Sequence, residues 1–187
     1  MIVVPLTAAH RDGFRALMDA AGLGCFCRYW HFVGTKNDWL ERSALRPEEN
    51  EAEQFRDPAA DDARGLVALQ DGAVVGWLKV VPQPAAPKLL QQSVYKKLVQ
   101  AASDVHAIAC FLVHPDHRER GVARALLRAA PDFARTHGAR ELQAYPRRSD
   151  DRLPDGQALA GPEVLFRSEG FELAHDVPPY PVWRKYL

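Results

Sequence analysis

The residues whose types and spacing could do chemistry begin with Arg118-Glu119-Arg120-Gly121-Val122-Ala123. Six uninterrupted apolar residues, Ala107 to Leu112, precede them and read as a strand covered on both faces. His114-Pro115-Asp116-His117 is turn chemistry, because proline fixes its own φ and drives its predecessor out of the helical region. From Glu119 onward, apolar residues fall at Val122, Leu126, Ala129 or Ala130, and Phe133, which is helical spacing. A loop that ends in a helix start offers unpaired backbone N–H groups and the positive end of the helix dipole. That suits an anion, and Arg118 and Arg120 add charge of the right sign. The first two glycines of a dinucleotide-binding loop and the Gly-Lys-Ser/Thr of a P-loop are missing. Strand, loop and helix with an arginine nearby also occur where nothing binds.

Other reactive side chains are scattered. Cys25-Phe26-Cys27-Arg28-Tyr29-Trp30-His31-Phe32 is unusually aromatic, and its Cys-x-Cys with His31 invites a metal. No second cysteine pair exists to complete a zinc site, so no metal is expected. Two readings stay open: a buried strand or loop that packs aromatics into the core, or a pocket wall with Tyr29 and Trp30 as substrate contacts. His106 and Cys110 share one face of the apolar strand if period-two alternation holds. Cys110 reads as inert core. His106 could serve as a base through water. Tyr145, ending the next strand, could donate a proton at the sheet rim or be structural. His114 and His117 should face solvent.

The elements that must position these groups follow from pattern. Ile2–Leu6 reads as a strand, and Thr7 could cap a helix over about 8–21, with Phe14, Leu17, Met18 and Ala21 on one face. Residues 35–64 are polar and acidic, either a solvated helix and loop or a cover favouring a cationic amine. Gly65–Gln70 and Ala73–Val81 form a hairpin across Asp71-Gly72. Residues 88–102 have helical periodicity, and the helix from 119 to 137 should kink at Pro131. Arg140–Tyr145 is a strand, 147–160 a charged loop, and Tyr180–Leu187 a last strand. The 187 residues carry 24 Lys+Arg against 24 Asp+Glu, which gives no electrostatic case for nucleic acid or an anionic membrane. No apolar run nears the roughly 20 residues of a membrane helix. Without a signal-peptide pattern, and with three cysteines, a cytoplasmic protein is expected.

Leu112-Val113-His114-Pro115 followed by Arg118-x-x-Gly121-x-Ala123 resembles the acetyl-CoA-binding motif of the GNAT superfamily of N-acyltransferases, Gln/Arg-x-x-Gly-x-Gly/Ala after a strand ending Val-x-Pro. Gly161–Phe171 resembles that family's closing motif, with Phe166 as the aromatic four residues before Gly170-Phe171. The Cys-aromatic-Cys run is similar to one in a bacterial subgroup of the family. The likeness covers about 65–187 and, loosely, the first helix. It implies a single α/β domain with a mixed, mostly antiparallel twisted sheet flanked by helices, residues 1–64 lying on the acceptor side. It further implies acetyl-CoA as acyl donor, its pyrophosphate on backbone N–H groups from Arg118 through Glu119, Arg120, Gly121 and Val122 to Ala123, and its pantetheine paired along Phe111, Leu112 and Val113. The acetyl group would pass to a primary amine of a small molecule or peptide, with no nucleic-acid or membrane partner and a homodimer left open. Where many family members carry an acidic tyrosine, this chain has Phe166, so Tyr145 is the substitute acid and His106 the candidate base. The same departure motivates the rival expectation, a non-catalytic acyl-CoA-binding module.

Overall fold

The computed structural model describes residues 1–149 and 159–187. Seven strands form one sheet: Ile2–Pro5 (β1), Gly65–Gln70 (β2), Ala73–Pro82 (β3), Val105–Val113 (β4), Glu141–Ala144 (β5), Glu172–His175 (β6) and Val182–Tyr186 (β7). Their order is β1-β2-β3-β4-β5-β7-β6, and β4 with β5 is the parallel pair in an otherwise antiparallel sheet. The mixed, mostly antiparallel α/β fold expected above is therefore the one observed. The β2–β3 hairpin turns on Asp71 and Gly72 at φ 51° and 84°, the two positive values a tight two-residue turn requires.

The described residues also form six α-helices: Arg11–Ala20 (α1), Lys36–Leu45 (α2), Pro47–Gln54 (α3), Pro87–Leu90 (α4), Val122–Thr136 (α5) and Glu163–Ser168 (α6). One face of the sheet packs on α5 and α6, burying Leu78, Val80, Ile108 and Phe111 against Leu126, Ala130, Phe133 and Phe166. α5 approaches β3 closely because Gly76 has no side chain; a Cβ there would stand 2.6 Å from Val122 Cγ1. This helix runs on through Pro131, whose missing donor is tolerated. The other face carries two apolar clusters. One joins α1 (Phe14, Leu17, Met18) to Trp77, Cys110 and Leu112. The other joins Leu89, Leu90, Tyr95 and Val99 to Val81, Ala107, Ala109 and Tyr145.

Three expectations need correction. The helix over 88–102 shrinks to α4, and residues 91–98 continue as turns. The apolar spacing was real, but Tyr95 reaches the Tyr145 cluster from a turn and Val99 from the coil after it, so burial overrides helix continuity. The polar stretch 35–64 is not all solvated: Asn50, Glu51 and Gln54 of α3 are buried. Their partners come from other segments, as Asn50 donates to Gly24 O and Glu51 accepts from Arg11 and Arg15. The period-two alternation of β4 also fails. Lys79 pairs with Cys110 while Val80 pairs with Ile108, so Ala109 is an inserted residue, a bulge that flips the strand's facing. His106 precedes the bulge and Cys110 follows it, so they lie on opposite faces. Most of the charged loop expected over 147–160 falls outside the described residues.

Candidate active site

β4 and β5 begin paired and then separate. Their register covers Val105–Ile108 with Glu141–Ala144, after which β4 keeps only β3 as a strand neighbour. The fork exposes the β4 backbone between Ala109 and Val113 to non-strand partners. Trp30 donates its indole N–H to Ala109 O at 2.9 Å, and Phe111 N–H donates to Leu159 O at 2.6 Å. Phe111 and Leu112 are buried, their rings and methyls committed to opposite faces, while Val113 is half-buried against α5. The fork therefore offers backbone, not side chains, to anything lying in it.

At the end of β4 the chain makes a short turn over Pro115–His117 and enters the loop before α5. Glu119 and Gly121 both have positive φ, 60° and 82°. The first helical bond is Ala125 N–H to Gly121 O. Among the described residues, no N–H from Glu119 to Arg124 has a backbone or side-chain acceptor. A Cβ built on Gly121 would meet nothing within 4 Å. Gly121 is thus required for its left-handed conformation, and the space in front of it is open. Val122 is buried under β3 and Ala123 is half-buried, while Glu119 and Arg120 are exposed and Arg118 is half-exposed. A cradle of free donors at a helix start, facing open space, fits a diphosphate.

The opposite side of the fork is built from side chains. Phe26 and Cys27 are consecutive non-glycine residues at positive φ, 43° and 55°, a strained loop held down by burial. It brings Cys27 Sγ to 2.9 Å from Cys110 Sγ and lets it accept Trp77 Nε1–H at 3.2 Å; the cysteines are free thiols. Burial, and then its neighbour Cys110, raise the Cys27 thiol well above its ordinary value. Opposite Cys110 on β3, Lys79 is fully buried and its ammonium donates to Gln54 Oε1 at 2.9 Å. Burial, aided by the nearby Arg28, lowers Lys79 to about 7. Arg28 is itself 1% exposed and donates to Glu53 Oε1, Asp62 Oδ2 and Asp62 O. His31, held against Ala85 O, is lowered to about 2 by burial and by Lys79.

The family enters through the sequence as well as the shape. Residues 21–153 match the model of the acetyltransferase (GNAT) family. The chain belongs to the GNAT acetyltransferase family. No curated protein aligns significantly with it. Among solved GNAT-like structures, PaiA N-acetyltransferase of Thermoplasma acidophilum in complex with coenzyme A is 11% identical at TM-score 0.57, with all of both chains covered. A GCN5-related N-acetyltransferase of Kribbella flavida is 21% identical at TM-score 0.57, covering 100% of this chain and 97% of its own. Ribosomal-protein-alanine N-acetyltransferase of Brucella melitensis is 18% identical at TM-score 0.59, with both chains fully covered. At these identities the likeness is one of fold.

Within this GNAT frame the anticipated residues divide. Phe111, Leu112 and Val113 lie on the fork, and Arg118–Ala123 form the loop beyond it. Trp30 reaches the fork through Ala109, and Tyr29 packs on Trp30 with ring centroids 4.7 Å apart. Tyr145 follows directly after the last β5 residue paired with β4, so it stands at the fork on the Ala109 face. Its hydroxyl accepts from Gln83 Nε2 and donates to Gln143 Oε1, both at 2.9 Å, and burial raises its pKa. Phe166 packs fully buried on Phe111, centroids 5.8 Å apart. His106 sits at the closed end of β4, on the α5 side, both ring nitrogens without a partner. Five residues at roughly 3.3 Å each put it about 16 Å from Phe111, and burial lowers it to about 4. Among the described residues, no cluster of three His, Cys, Asp or Glu could hold a metal, and no helix is long and apolar enough to cross a membrane. Sequence reasoning missed Lys79, Arg28 and Gln54. A lysine in the apolar run Val74–Val81 was the available signal for the first.

Proposed function

We propose that the chain is an N-acetyltransferase that takes acetyl-CoA as donor and moves its acetyl group directly to a primary amine of a small molecule or peptide. The observation that carries this reading is the fork between β4 and β5, with the free N–H groups of residues 119–124 at its mouth facing open space. When bound, the donor supplies an activated thioester. The loop donors would hold its diphosphate, and Arg118 and Arg120 would add favourable charge. The Phe111 N–H, now bonded to Leu159 O, would exchange that acceptor for the pantetheine arm. The exposed β4 donors would also stabilise negative charge developing at the carbonyl oxygen.

Proton transfer to the leaving thiolate falls to Tyr145, which shares the fork with Ala109; burial keeps its hydroxyl protonated but, by raising its pKa, makes it the weaker acid. His106 has no place in this scheme, because it faces α5 at the far end of the strand. An α-amino acceptor, with a pKa near 8, is partly neutral at pH 7. A lysine-type amine near 10.4 costs roughly 4–5 kcal/mol to deprotonate, so it would lean on a base. We propose Tyr29 and Trp30 as acceptor contacts.

A second reading, an acyl-CoA-binding module without turnover, draws on Phe166 at the family's usual tyrosine position and on the full engagement of the Tyr145 hydroxyl by two glutamines. Calorimetry with acetyl-CoA and thiol release with a panel of amines separate the two. The enzyme reading expects binding together with release. Binding without release from any amine would establish the module, and no binding would sink both.

A further inference from the structure

Lys88 is the second residue of α4, a one-turn helix near the surface, where a lysine ordinarily extends its ammonium into water. Here the ammonium is turned inward. Its Nζ is buried and has no hydrogen-bond partner. It lies instead 4.7 Å from the centroid of Tyr29 and 5.1 Å from that of Phe32. Trp39 of α2 packs against both rings, at 5.3 Å and 5.2 Å, and closes the set. Two segments, the turn carrying Tyr29 and Phe32 and the helix α2 carrying Trp39, thus supply an aromatic surround, and the cation inside gives up three hydrogen bonds to water to stay there. Attraction of a cation to ring faces is strongest where water is excluded, on the order of 2 kcal/mol.

The surround also has a location. Tyr29 stacks on Trp30, whose indole N–H is bonded to Ala109 O, the bulge residue at the fork. A ligand in the surround would therefore be within a small molecule's length of the proposed acyl-transfer point.

We infer that Tyr29, Phe32 and Trp39 form a cation-binding subsite for the acceptor, filled by Lys88 until an acceptor displaces it. This rests on the acyltransferase reading above and narrows its substrate class. The nitrogen that attacks a thioester must be neutral, whereas a site lined by ring faces favours the charged form. One nitrogen cannot meet both demands. The acceptor is then an amine with a second, charged alkylammonium or quaternary ammonium group, the second nitrogen caged and the first presented at the fork.

The site is tested first by binding alone. Tetramethylammonium and a neutral probe of similar size, neopentyl alcohol, are titrated against wild type and Lys88→Met, with tryptophan fluorescence, to which the caging Trp39 contributes, as readout. Lys88→Gln is measured in parallel in case the methionine variant does not fold. Removing the resident ammonium should tighten tetramethylammonium binding at least tenfold, with no matching gain for the neutral probe, and adding Phe32→Leu should reverse the gain. No gain in either variant, or an equal gain for the neutral probe, overturns the subsite. Thiol release then compares 1,4-diaminobutane with butylamine: kcat/KM should favour the diamine at least tenfold, and Phe32→Leu should bring the ratio toward one. A ratio of one in the wild type overturns the substrate class. Tight tetramethylammonium binding with no thiol release from any amine would overturn the acyltransferase reading while leaving the cation subsite in place.

Discussion

The two sides of the fork are built from different materials. The proposed donor side consists of backbone: N–H groups from 119 to 124 and the separated edge of β4, within one continuous stretch of about twenty residues. The proposed acceptor side consists of side chains from residues 25–39, 54, 79, 88 and 110, each of which depends on the others. Backbone donors at a helix start work in nearly any sequence that keeps the conformation, so that side needs one glycine and one register. The acceptor side needs buried polar and aromatic groups, each costly to bury and each dependent on a particular partner. A general donor and a particular acceptor would be expected to divide in this way.

Substitutions can break this contrast. The largest effect is expected from Gly121→Glu, whose carboxylate would enter the open space before the loop donors. Acetyl-CoA binding by calorimetry should fall more than a thousandfold, while the positive φ adds only about 1 kcal/mol of strain to the folded state. Retained binding in a folded variant would show that the cradle is not where the diphosphate sits. Arg28→Met, on the other side, should act through stability. It leaves Glu53 and Asp62 without their shared buried partner, and urea unfolding should show a loss of about 3 kcal/mol. A negligible loss would mean that this cluster does not hold the acceptor side together.

Tyr145→Phe should lower kcat about a hundredfold and alter its basic limb. If kcat and its pH profile stay as in the wild type, Tyr145 only anchors Gln83 and Gln143. Lys79 gives the smallest and most graded effect. Its folded-state pKa near 7 lies below the unfolded value of 10.5, so between these values the unfolded chain binds more protons and stability rises with pH, by up to about 1.4 kcal/mol per unit. The slope should be read between pH 7 and 9, before the raised thiols of Cys25 and Cys27 act in the opposite sense. Lys79→Met should flatten it. His31 and His106, lowered to about 2 and 4, bind protons more readily in the unfolded chain, so stability should also fall as pH drops below about 6.5.

The donor side was legible in the sequence because its signals are local. The apolar run before His114-Pro115, the glycine at 121 and the helical spacing after it occupy consecutive positions, and the Asp71-Gly72 turn is equally self-contained. Tyr145 was located by its place at a strand end. The misplacements share one cause. His106 was put beside Cys110 because alternation holds only in an unbulged strand, and a bulge is a relation between two strands. Helical spacing at 88–102 reported apolar positions correctly, yet their burial against Tyr145 was satisfied by turns and coil. The acidic 48–54 segment looked solvated because its partners, Arg11, Arg15, Gly24 and Lys79, lie far off in the chain.

By itself the sequence determined the hairpin, the central strand and the amphipathic helix, since each rests on hydrogen bonds and dihedral preferences spanning a few residues, and it marked the glycine at 121 whose left-handed conformation the structure then showed. Only the tertiary structure decided which lysine is stripped of water beside Cys110 and which is caged by aromatic rings. Burial and charge at a point depend on everything packed around it, and that neighbourhood is assembled from segments up to about eighty residues apart.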